Sequence, residues 1–311
     1  RPHRSRWEAP ESVPRVSVVV PVYNGERYLR EALDSVFVQT FQDYEVVCID
    51  DGSKDSSLDI LETYGPRVRI LRQANQGACA ARNAGVLATS APYIAFLDQD
   101  DRWYPHHLEQ QVAALDAEPD VVLVLCNSDR MDEHGRITQV GAAASERETR
   151  RFSPLGRLID EDQLLSSAML ARRDAFVRAG MYDQELRGYE DFDLSARLRQ
   201  QGRFAFLEQS GMCYRVHAAS LSHAAGEAVV RSRERFLLKM RGLYARDGEK
   251  QGLIRTMLAE CYSDWGMRAI QAGDRERGRQ LLRRSICHNP LKFRTYSRWI
   301  RSFLPVGTVR G

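Results

Sequence analysis

The chain contains 311 residues, of which 43% are hydrophobic and 28% are charged, and its formal net charge at pH 7 is +3. This length suffices for one large α/β domain with a smaller appended unit. No apolar run approaches the roughly 18 residues that a membrane-spanning helix needs, which argues against an integral membrane protein and favours a soluble globular one.

The first residues and the cysteines indicate the cellular compartment of the protein. The opening sequence RPHRSR lacks the apolar segment of a signal peptide, so we expect residues 1–14 to form a flexible leader. The six cysteines are scattered along the chain without a C-x-x-C pair. Free cysteines in apolar segments behave as small hydrophobic side chains, and this pattern favours a reduced, cytoplasmic setting.

The charge is unevenly distributed along the chain. Residues 225–311 contain 19 Lys and Arg against 8 Asp and Glu, whereas residues 1–224 contain 26 against 34. A basic C-terminal part can bind nucleic acid, an anionic lipid surface or an acidic partner, and it can equally be a solvated helical surface. Charge by itself leaves these alternatives open.

In chain order, short apolar runs alternate with helical patterns over the first two-thirds of the sequence. The predicted strands are Val16–Val20, Tyr44–Ile49, Val68–Leu71, Tyr93–Leu97 and Val121–Cys126. The helices predicted between them are one with apolar residues at 29, 32, 33, 36 and 37, one at 58–64, one at 78–88 and one opened by Pro105. Strands that are apolar on both faces and joined by helices indicate an α/β fold with a mostly parallel sheet flanked by helices.

Polar clusters follow three of the predicted strands, at Pro21–Asn24, Asp50–Ser53 and Asp98–Asp101. Ligands of open α/β sheets bind beyond the carboxyl ends of the strands. Asp98 and Asp100 are two residues apart, so their side chains point the same way in an extended segment. Such a pair suits Mg²⁺ or Mn²⁺ with positions left for phosphate oxygens, and the alternative is that these acids only cap helices or form turns.

A second acidic segment lies further along the chain. The sequence GYEDFDLSARL, residues 188–198, predicts a helix with acids in its first turn. Acids at a helix N-terminus are favoured by the helix dipole alone. The same position can also fix a carboxylate as a general base, and both interpretations remain open on the residues themselves.

Six segments, taken in order, resemble the nucleotide-sugar-dependent glycosyltransferases of family 2, which have the GT-A fold. They are VSVVVPVYNGERYLREALDSVFVQT, VVCIDDGSKDSS, NQGACAARNAG, YIAFLDQDD, GMYDQELRGYEDFDLSARL and YRVHAASLS. Each segment is unspecific by itself, and their order and spacing make the resemblance specific. It implies a GT-A domain at residues 15–224 and leaves residues 225–311 as a helical, basic extension.

The resemblance implies a nucleotide site. Pro21 and Tyr23 would line the pocket of the base, and Asp51 would hydrogen-bond the base. Arg82 would reach toward the nucleotide or its diphosphate. Asp98 would contact the ribose or a metal ion.

The resemblance also implies a metal-dependent reaction. Asp98, Asp100 and His217 would form the site of Mn²⁺ or Mg²⁺, and Asp191 would be the catalytic base. The base would remove a proton from an acceptor hydroxyl that attacks the anomeric carbon opposite the nucleotide, which gives inversion. Asp101 is expected to have a structural role.

The implied substrates are a nucleotide-sugar donor, expected to be a UDP-sugar, and a glycan or lipid-linked acceptor in polysaccharide or cell-surface glycan biosynthesis; no nucleic acid is expected. Two alternatives remain. A sugar-nucleotide nucleotidylyltransferase would normally carry a Gly-rich loop after the first strand, where this chain has PVYNGERY. A non-catalytic glycan-binding protein on the same fold would have lost the carboxylates, which are intact here.

The C-terminal third predicts helices. The sequence CYSDWGMRAIQAGDRERGRQLLRRSICHNPLKF predicts two helices around a Gly-Asp turn, with a stop at Asn-Pro, and is similar to one tetratricopeptide hairpin. A single hairpin cannot bury its own face, so we expect it to dock on the main domain, on a partner or on a second copy of the chain. Two interpretations of its basic surface remain open: contact with an anionic membrane at the inner face, or a solvated helical surface. Residues 140–163 are expected to form a mobile acceptor-side loop.

Overall fold

The computed structural model describes residues 12–145, 153–159, 165–217, 227–291 and 293–303. The expected leader at 1–14 and the expected acceptor-side loop at 140–163 lie partly outside these ranges, as does the end of the YRVHAASLS segment. None of the helices in the described ranges has both the length and the apolar character needed to cross a lipid bilayer.

Internal contacts divide the chain into two compact units. The first consists of Arg1–Phe152, Glu161–Gln184 and Glu190–Leu221, and the second of Ser153–Asp160, Glu185–Tyr189 and Ser222–Gly311. The domain boundary expected after residue 224 falls outside the described residues. Two short segments that the sequence assigned to the GT-A domain belong to the second unit. In one of them the Arg187 N–H donates to Ser232 Oγ at 2.9 Å, and the Tyr189 ring stacks on Phe236.

The described part of the first unit is built on one nine-stranded sheet. The strands are β1 (Val16–Val22), β2 (Tyr44–Asp50), β3 (Arg69–Arg72), β4 (Tyr93–Phe96), β5 (Arg102–Trp103), β6 (Val121–Met131), β7 (Ile137–Gln139), β8 (Met169–Arg172) and β9 (Arg203–Arg215). Their order across the sheet is β3-β2-β1-β4-β8-β6-β9-β5, and β7 pairs with β6 outside this path.

Strands β3, β2, β1 and β4 run parallel, as predicted. β1 is buried along its whole length because its sequence VSVVVPV is largely apolar on both faces. Val22 lies opposite Asp50, so the segments after β1 and β2 leave the sheet at the same edge. Leu97, directly after β4, donates its N–H to the Val19 carbonyl at 3.1 Å, which brings the following acidic segment to that edge too.

The other half of the sheet is mixed, which refines the predicted α/β class. β8 runs antiparallel to both β4 and β6, whereas β9 runs parallel to β6. β5 and β7 are antiparallel to their neighbours. The sequence did not identify β5, β7, β8 or β9. β5 and β7, with two and three residues, are too short for a periodic signal, and β9 (RFAFLEQSGMCYR) has polar residues in its middle that interrupt its apolar pattern.

The α-helices in chain order are α1 (Leu29–Phe37), α2 (Ser57–Glu62), α3 (Ala78–Leu87), α4 (His107–Ala117), α5 (Pro154–Leu158), α6 (Arg173–Arg178), α7 (Glu190–Leu198), α8 (Glu227–Leu243), α9 (Gly248–Gln271), α10 (Arg275–His288) and α11 (Phe293–Arg301). Helices α1 to α4 occur where the sequence predicted them, although α4 begins two residues after Pro105. The first unit contains α1 to α4, α6 and α7, and the second contains α5 and α8 to α11.

In the second unit, α9 and α10 form the helical hairpin that the sequence predicted. Gly273 between them has a φ of 92°, a conformation that favours glycine, and Asp274 caps α10 by accepting the Arg277 N–H at 3.1 Å. The helices approach each other most tightly at two glycines. A Cβ on Gly266 would lie 2.9 Å from the Gly278 carbonyl oxygen.

A similar close approach supports α3 on the sheet in the first unit, at Gly85. A Cβ there would overlap the Val19 side chain and lie 2.7 Å from Ile49 Cδ1. We therefore expect Gly85→Ala to lower the free energy of unfolding by about 1–3 kcal/mol through overpacking, measured by urea denaturation. Leu87→Ala, on the exposed side of the same helix, is the control and should change it by less than about 0.5 kcal/mol. Equal stability of the two variants would contradict this tight packing.

Candidate active site

The acidic segment after β4 meets the N-terminal part of α3 through an ion pair. Arg82 on α3 is buried, and its guanidinium pairs with the carboxylate of Asp98. The same guanidinium lies 5.4 Å from the centre of the Tyr182 ring. A buried cation needs a counter-charge, and Asp98 provides it. The structure therefore places two of the predicted nucleotide-binding residues in direct contact.

Asp100 faces a different partner. Its Oδ2 lies 2.8 Å from His217 Nε2, and the His217 ring packs 5.3 Å from the ring of Tyr28. Burial and the nearby Asp98 raise the pKa of Asp100, and His217 opposes the shift. Two of the three predicted metal residues are thus brought together, although they lie 117 positions apart in the sequence.

The predicted three-residue metal set is not assembled as such. Within the described ranges, no group of three or more His, Cys, Asp or Glu side chains is arranged to hold a metal ion. Asp98, the third predicted ligand, is paired with Arg82. Mg²⁺ and similar ions commonly use one or two carboxylates and take their remaining ligands from substrate phosphates and water. The Asp100–His217 pair fits a site of that kind, which the substrate would complete.

Asp101 has the structural role that the sequence predicted. Its buried carboxylate accepts the Ser167 hydroxyl at 2.6 Å and the Arg215 N–H at 3.0 Å. Ser167 Oγ in turn accepts the Asp98 N–H at 3.0 Å. Burial raises the pKa of Asp101 well above its usual range, as do the neighbouring Asp100 and Asp98. These contacts fix the backbone of the acidic turn on its buried side.

Arg215 completes this support and was not singled out by the sequence. Its guanidinium donates to the Asp100 carbonyl at 2.8 Å and to Glu31 Oε2 at 2.6 Å, and it lies 4.4 Å from the centre of the Tyr28 ring. The Arg215 side chain is 1% exposed. A fully buried arginine two positions before His217 therefore holds the turn that carries Asp100.

Asp191 lies in the first turn of α7, where the sequence predicted a carboxylate. Its closest described partner is the Ser166 hydroxyl, 3.5 Å from Oδ1, and Ser166 Oγ lies 2.9 Å from Tyr182 Oη. Burial, with Glu190 and Asp98, raises the pKa of Asp191 to about 7, and Arg82 opposes the shift. This carboxylate can therefore accept or release a proton near neutral pH.

Tyr182 and the adjacent serines Ser166 and Ser167 connect these groups, and sequence reasoning missed all three. Tyr182 is held by Asn83 of the ARNAG segment, whose side chain bonds the Tyr182 N–H at 3.0 Å and its carbonyl at 2.9 Å. Of the three, Tyr182 had a signal in the sequence, because it lies in the GMYD motif. The serines precede β8 without a recognisable pattern.

The predicted base-binding residues lie at the carboxyl ends of β1 and β2. Pro21 is buried within β1, and the Tyr23 side chain is partly exposed. The Tyr23 N–H donates to Gln99 Oε1 at 2.8 Å, and the Tyr23 carbonyl accepts from Gln99 Nε2 at 3.0 Å. The Asp51 carboxylate accepts Gln73 Nε2 at 2.7 Å and the N–H groups of residues 76 and 77 at 2.9 and 2.8 Å. A carboxylate has about four acceptor positions, so Asp51 can take one further hydrogen bond from a ligand.

The model of glycosyl transferase family 2 matches residues 17–176, just over half of the chain. The chain belongs to this family. An uncharacterized glycosyltransferase of Rickettsia prowazekii is 30% identical over 219 residues, covering 68% of this chain and 67% of the relative. The uncharacterized glycosyltransferase YibD of Escherichia coli is 32% identical over 231 residues, covering 68% and 64%.

Solved structures agree on the fold. Residues 1–349 of S. aureus TarS, crystallised in complex with UDP-GlcNAc, match with a TM-score of 0.69 and 19% identity, covering 93% of this chain and 89% of that one. The UDP complex of the same fragment gives a TM-score of 0.67 at 19% identity with the same coverage. The predicted GT-A fold and glycosyltransferase class are confirmed, so the nucleotidylyltransferase and the non-catalytic alternatives are set aside. The roles of individual residues stay predictions.

The support of the acidic turn can be tested at Arg215. We expect Arg215→Met to lower the free energy of unfolding by about 1–3 kcal/mol, the cost of leaving a buried carbonyl unpaired, because the Asp100 carbonyl would lose its guanidinium donor. Arg102→Met is the matched control, since Arg102 also pairs with Glu31, at 3.0 Å, but in a partly exposed position. Arg102→Met should lower the free energy of unfolding by less than about 1 kcal/mol. Urea denaturation of both variants measures their free energies of unfolding. Equal losses in the two variants would contradict the role of Arg215 in supporting the acidic turn.

Proposed function

We propose that this family 2 glycosyltransferase transfers a sugar from a UDP-sugar to a hydroxyl group with inversion, that it depends on a divalent cation, and that Asp191 is the general base. The observation that carries the proposal is the Asp191 carboxylate. It is placed at a helix N-terminus, its pKa is raised to about 7, and it shares its electrostatic environment with the Arg82–Asp98 pair. An efficient general base has a pKa near the working pH.

The second part of the proposal concerns the leaving group. Asp100 and His217 would hold a Mn²⁺ or Mg²⁺ ion, which when bound would neutralise the charge that develops on the departing diphosphate. Arg82 already carries a buried positive charge next to Asp98 and would stabilise a bound diphosphate from the α3 side. With the leaving group stabilised in this way, no second carboxylic acid is needed to protonate it.

The donor is proposed from two observations. The TarS fragment with the same fold is crystallised with UDP-GlcNAc and with UDP. In this chain, Asp51 retains an acceptor position at the edge of the sheet, which suits the N–H of a uracil ring. Pro21 and Tyr23 would flank that ring. The acceptor is proposed to be a glycan or lipid-linked glycan hydroxyl in polysaccharide or cell-surface glycan biosynthesis, on the cytoplasmic side.

Asp191→Asn tests the base. The amide cannot take up a proton, so we expect kcat to fall by about 10² to 10⁴, the usual range for removing a general base. Because the wild-type carboxyl is protonated below its pKa, wild-type kcat/KM should rise as the pH increases through about 7 and then level off. Steady-state kinetics over this pH range measures both effects.

Binding of the nucleotide sugar separates catalysis from folding in that experiment. Asp191→Asn should bind UDP-GlcNAc as the wild type does, because no contact with the nucleotide is assigned to this side chain. Asp174→Asn, at an exposed acid of α6 paired with Arg178, is a control that should leave both kcat and the pH profile unchanged. A variant at position 191 that turns over normally would exclude Asp191 as the base.

The cation site is tested by ligand-induced thermal stabilisation. A ligand that binds the folded state raises the melting temperature. UDP-GlcNAc should raise the melting temperature of the wild-type protein more with Mn²⁺ than without it. Asp100→Asn should remove the Mn²⁺-dependent part of this increase and leave the unliganded melting temperature within a few degrees of the wild type.

The outcomes of this experiment have distinct meanings. An unchanged Mn²⁺-dependent increase in Asp100→Asn would show that the ion is held elsewhere. Stabilisation of the wild type by UDP-GlcNAc that is the same with and without Mn²⁺ would exclude a metal-dependent donor site. Asp174→Asn serves again as the control for removal of one negative charge from the first unit.

A further inference from the structure

In the second unit, arginines of α10 lie over aromatic rings at the C-terminal end of α11. The Arg279 guanidinium lies 4.9 Å from the centre of the Phe303 ring, and that of Arg283 lies 5.6 Å from the Trp299 ring. The two rings are 5.1 Å apart. Ile300, one position after Trp299 on α11, is the neighbouring exposed apolar residue. The Arg–aromatic surface is defined as Arg279, Arg283, Trp299, Ile300 and Phe303.

This surface exposes large apolar side chains next to its cations. Ile300 is 59% exposed and Phe303 is 53% exposed. Single exposed apolar residues are ordinary on protein surfaces. Here the two exposed residues lie beside Trp299 and beside arginines, so the patch is amphipathic over a small area and does not consist of isolated apolar residues.

The positive charge around the surface is poorly balanced. Residues 275–303 contain nine Lys and Arg and a single acid, Glu276. Arg277, Arg284 and Arg298 reach carboxylates of α8 and α9. In contrast, the contacts that the structure describes for Arg279 and Arg283 are with aromatic rings, and neither has a carboxylate partner within the described ranges. Their charges therefore remain available to an outside anion.

We propose that the Arg–aromatic surface docks on an anionic lipid bilayer. Guanidinium groups bind phosphate oxygens in a bidentate manner, which suits lipid headgroups. Tryptophan is enriched at the level of the headgroups, and helices with basic and aromatic or aliphatic side chains lie in the membrane interface. Ile300 and Phe303 would enter the interface between headgroups that Arg279 and Arg283 contact.

The mixed chemistry of the surface favours a bilayer over other polyanions. A nucleic acid backbone would satisfy the arginines but would offer no apolar region for Ile300 and Phe303. The docking proposal goes beyond the proposed reaction and does not depend on Asp191 or on the donor, so each can fail without the other.

Co-sedimentation of the whole protein with vesicles tests the proposal. Vesicles of phosphatidylcholine are compared with vesicles in which part of the lipid is phosphatidylglycerol, at low and at high salt. We expect the protein to bind the anionic vesicles about tenfold or more tightly than the neutral ones. Binding should weaken as salt rises, because charges at the surface are screened beyond about 10 Å at 0.1 M salt.

Two double variants separate charge from apolar insertion. Arg279→Gln with Arg283→Gln should reduce binding to anionic vesicles about tenfold, and Ile300→Ser with Phe303→Ser should reduce it at unchanged charge. Arg246→Gln with Arg255→Gln removes the same charge from exposed positions of the same unit and is the matched control, which should bind nearly as the wild type. Circular dichroism and the midpoint of thermal unfolding verify that each variant is folded.

Several outcomes would overturn the proposal. Equal binding to neutral and anionic vesicles, or no binding to either, would remove the membrane role. Equal losses in the Arg279/Arg283 and Arg246/Arg255 variants would indicate a general effect of net charge. Binding to duplex DNA at least as tight as to vesicles, unaffected by the Ile300/Phe303 variant, would identify a nucleic acid surface instead.

Discussion

The acidic turn after β4 depends on the buried contacts of Arg215 and Asp101. Three aspartates within four positions repel one another unless each has a partner, and the repulsion is stronger where water is excluded. Asp101 anchors the turn through Ser167 and the Arg215 backbone, and the Arg215 guanidinium holds the Asp100 carbonyl from the same side. The backbone is thereby fixed while the side chains of Asp98 and Asp100 remain directed to other groups.

Each acid of the site then differs from the others by its neighbours. Asp98 is neutralised by Arg82, and Asp100 faces His217. Among the described residues, the hydrogen-bond partner of Asp191 is the Ser166 hydroxyl, at 3.5 Å. Burial, Glu190 and Asp98 raise its pKa to about 7, and Arg82 offsets part of this effect. Carboxyl groups whose surroundings separate their pKa values can serve different chemical roles in one site. The pairing pattern, more than the number of acids, is what makes a base at residue 191 physically reasonable.

The second unit has a different balance of forces. Its helices α9 and α10 pack through Gly266 and Gly278, and three arginines of α10 and α11 are neutralised by carboxylates of α8 and α9. Those pairs occupy acids of the unit, and the arginines over Trp299 and Phe303 are left without a carboxylate partner in the described ranges. A charge excess spread over the sequence becomes a localised amphipathic surface only once the helices are packed.

The sequence alone determined the local features of this protein. The apolar runs of β1, β2 and β4 and the helical spacing of α1 are short-range patterns. The segments PVYN, DDGS and DQDD directly follow predicted strands, and YED opens a predicted helix. Together with their order, they were sufficient for the α/β class, the family and the positions of Asp51, Asp98, Asp100 and Asp191 at ends of elements.

The tertiary structure decided which of these groups meet. The Asp101–Arg215 bond joins residues 114 positions apart, and the Asp100–His217 contact joins residues 117 apart. Ser166 and Ser167 reach the site because β8 inserts antiparallel between β4 and β6. Such contacts depend on the order and direction of strands across the sheet, which distant hydrogen bonds and packing select. Local periodicity does not contain this information. The pairing of Asp98 with Arg82 and the raised pKa of Asp191 therefore became visible only in the folded chain.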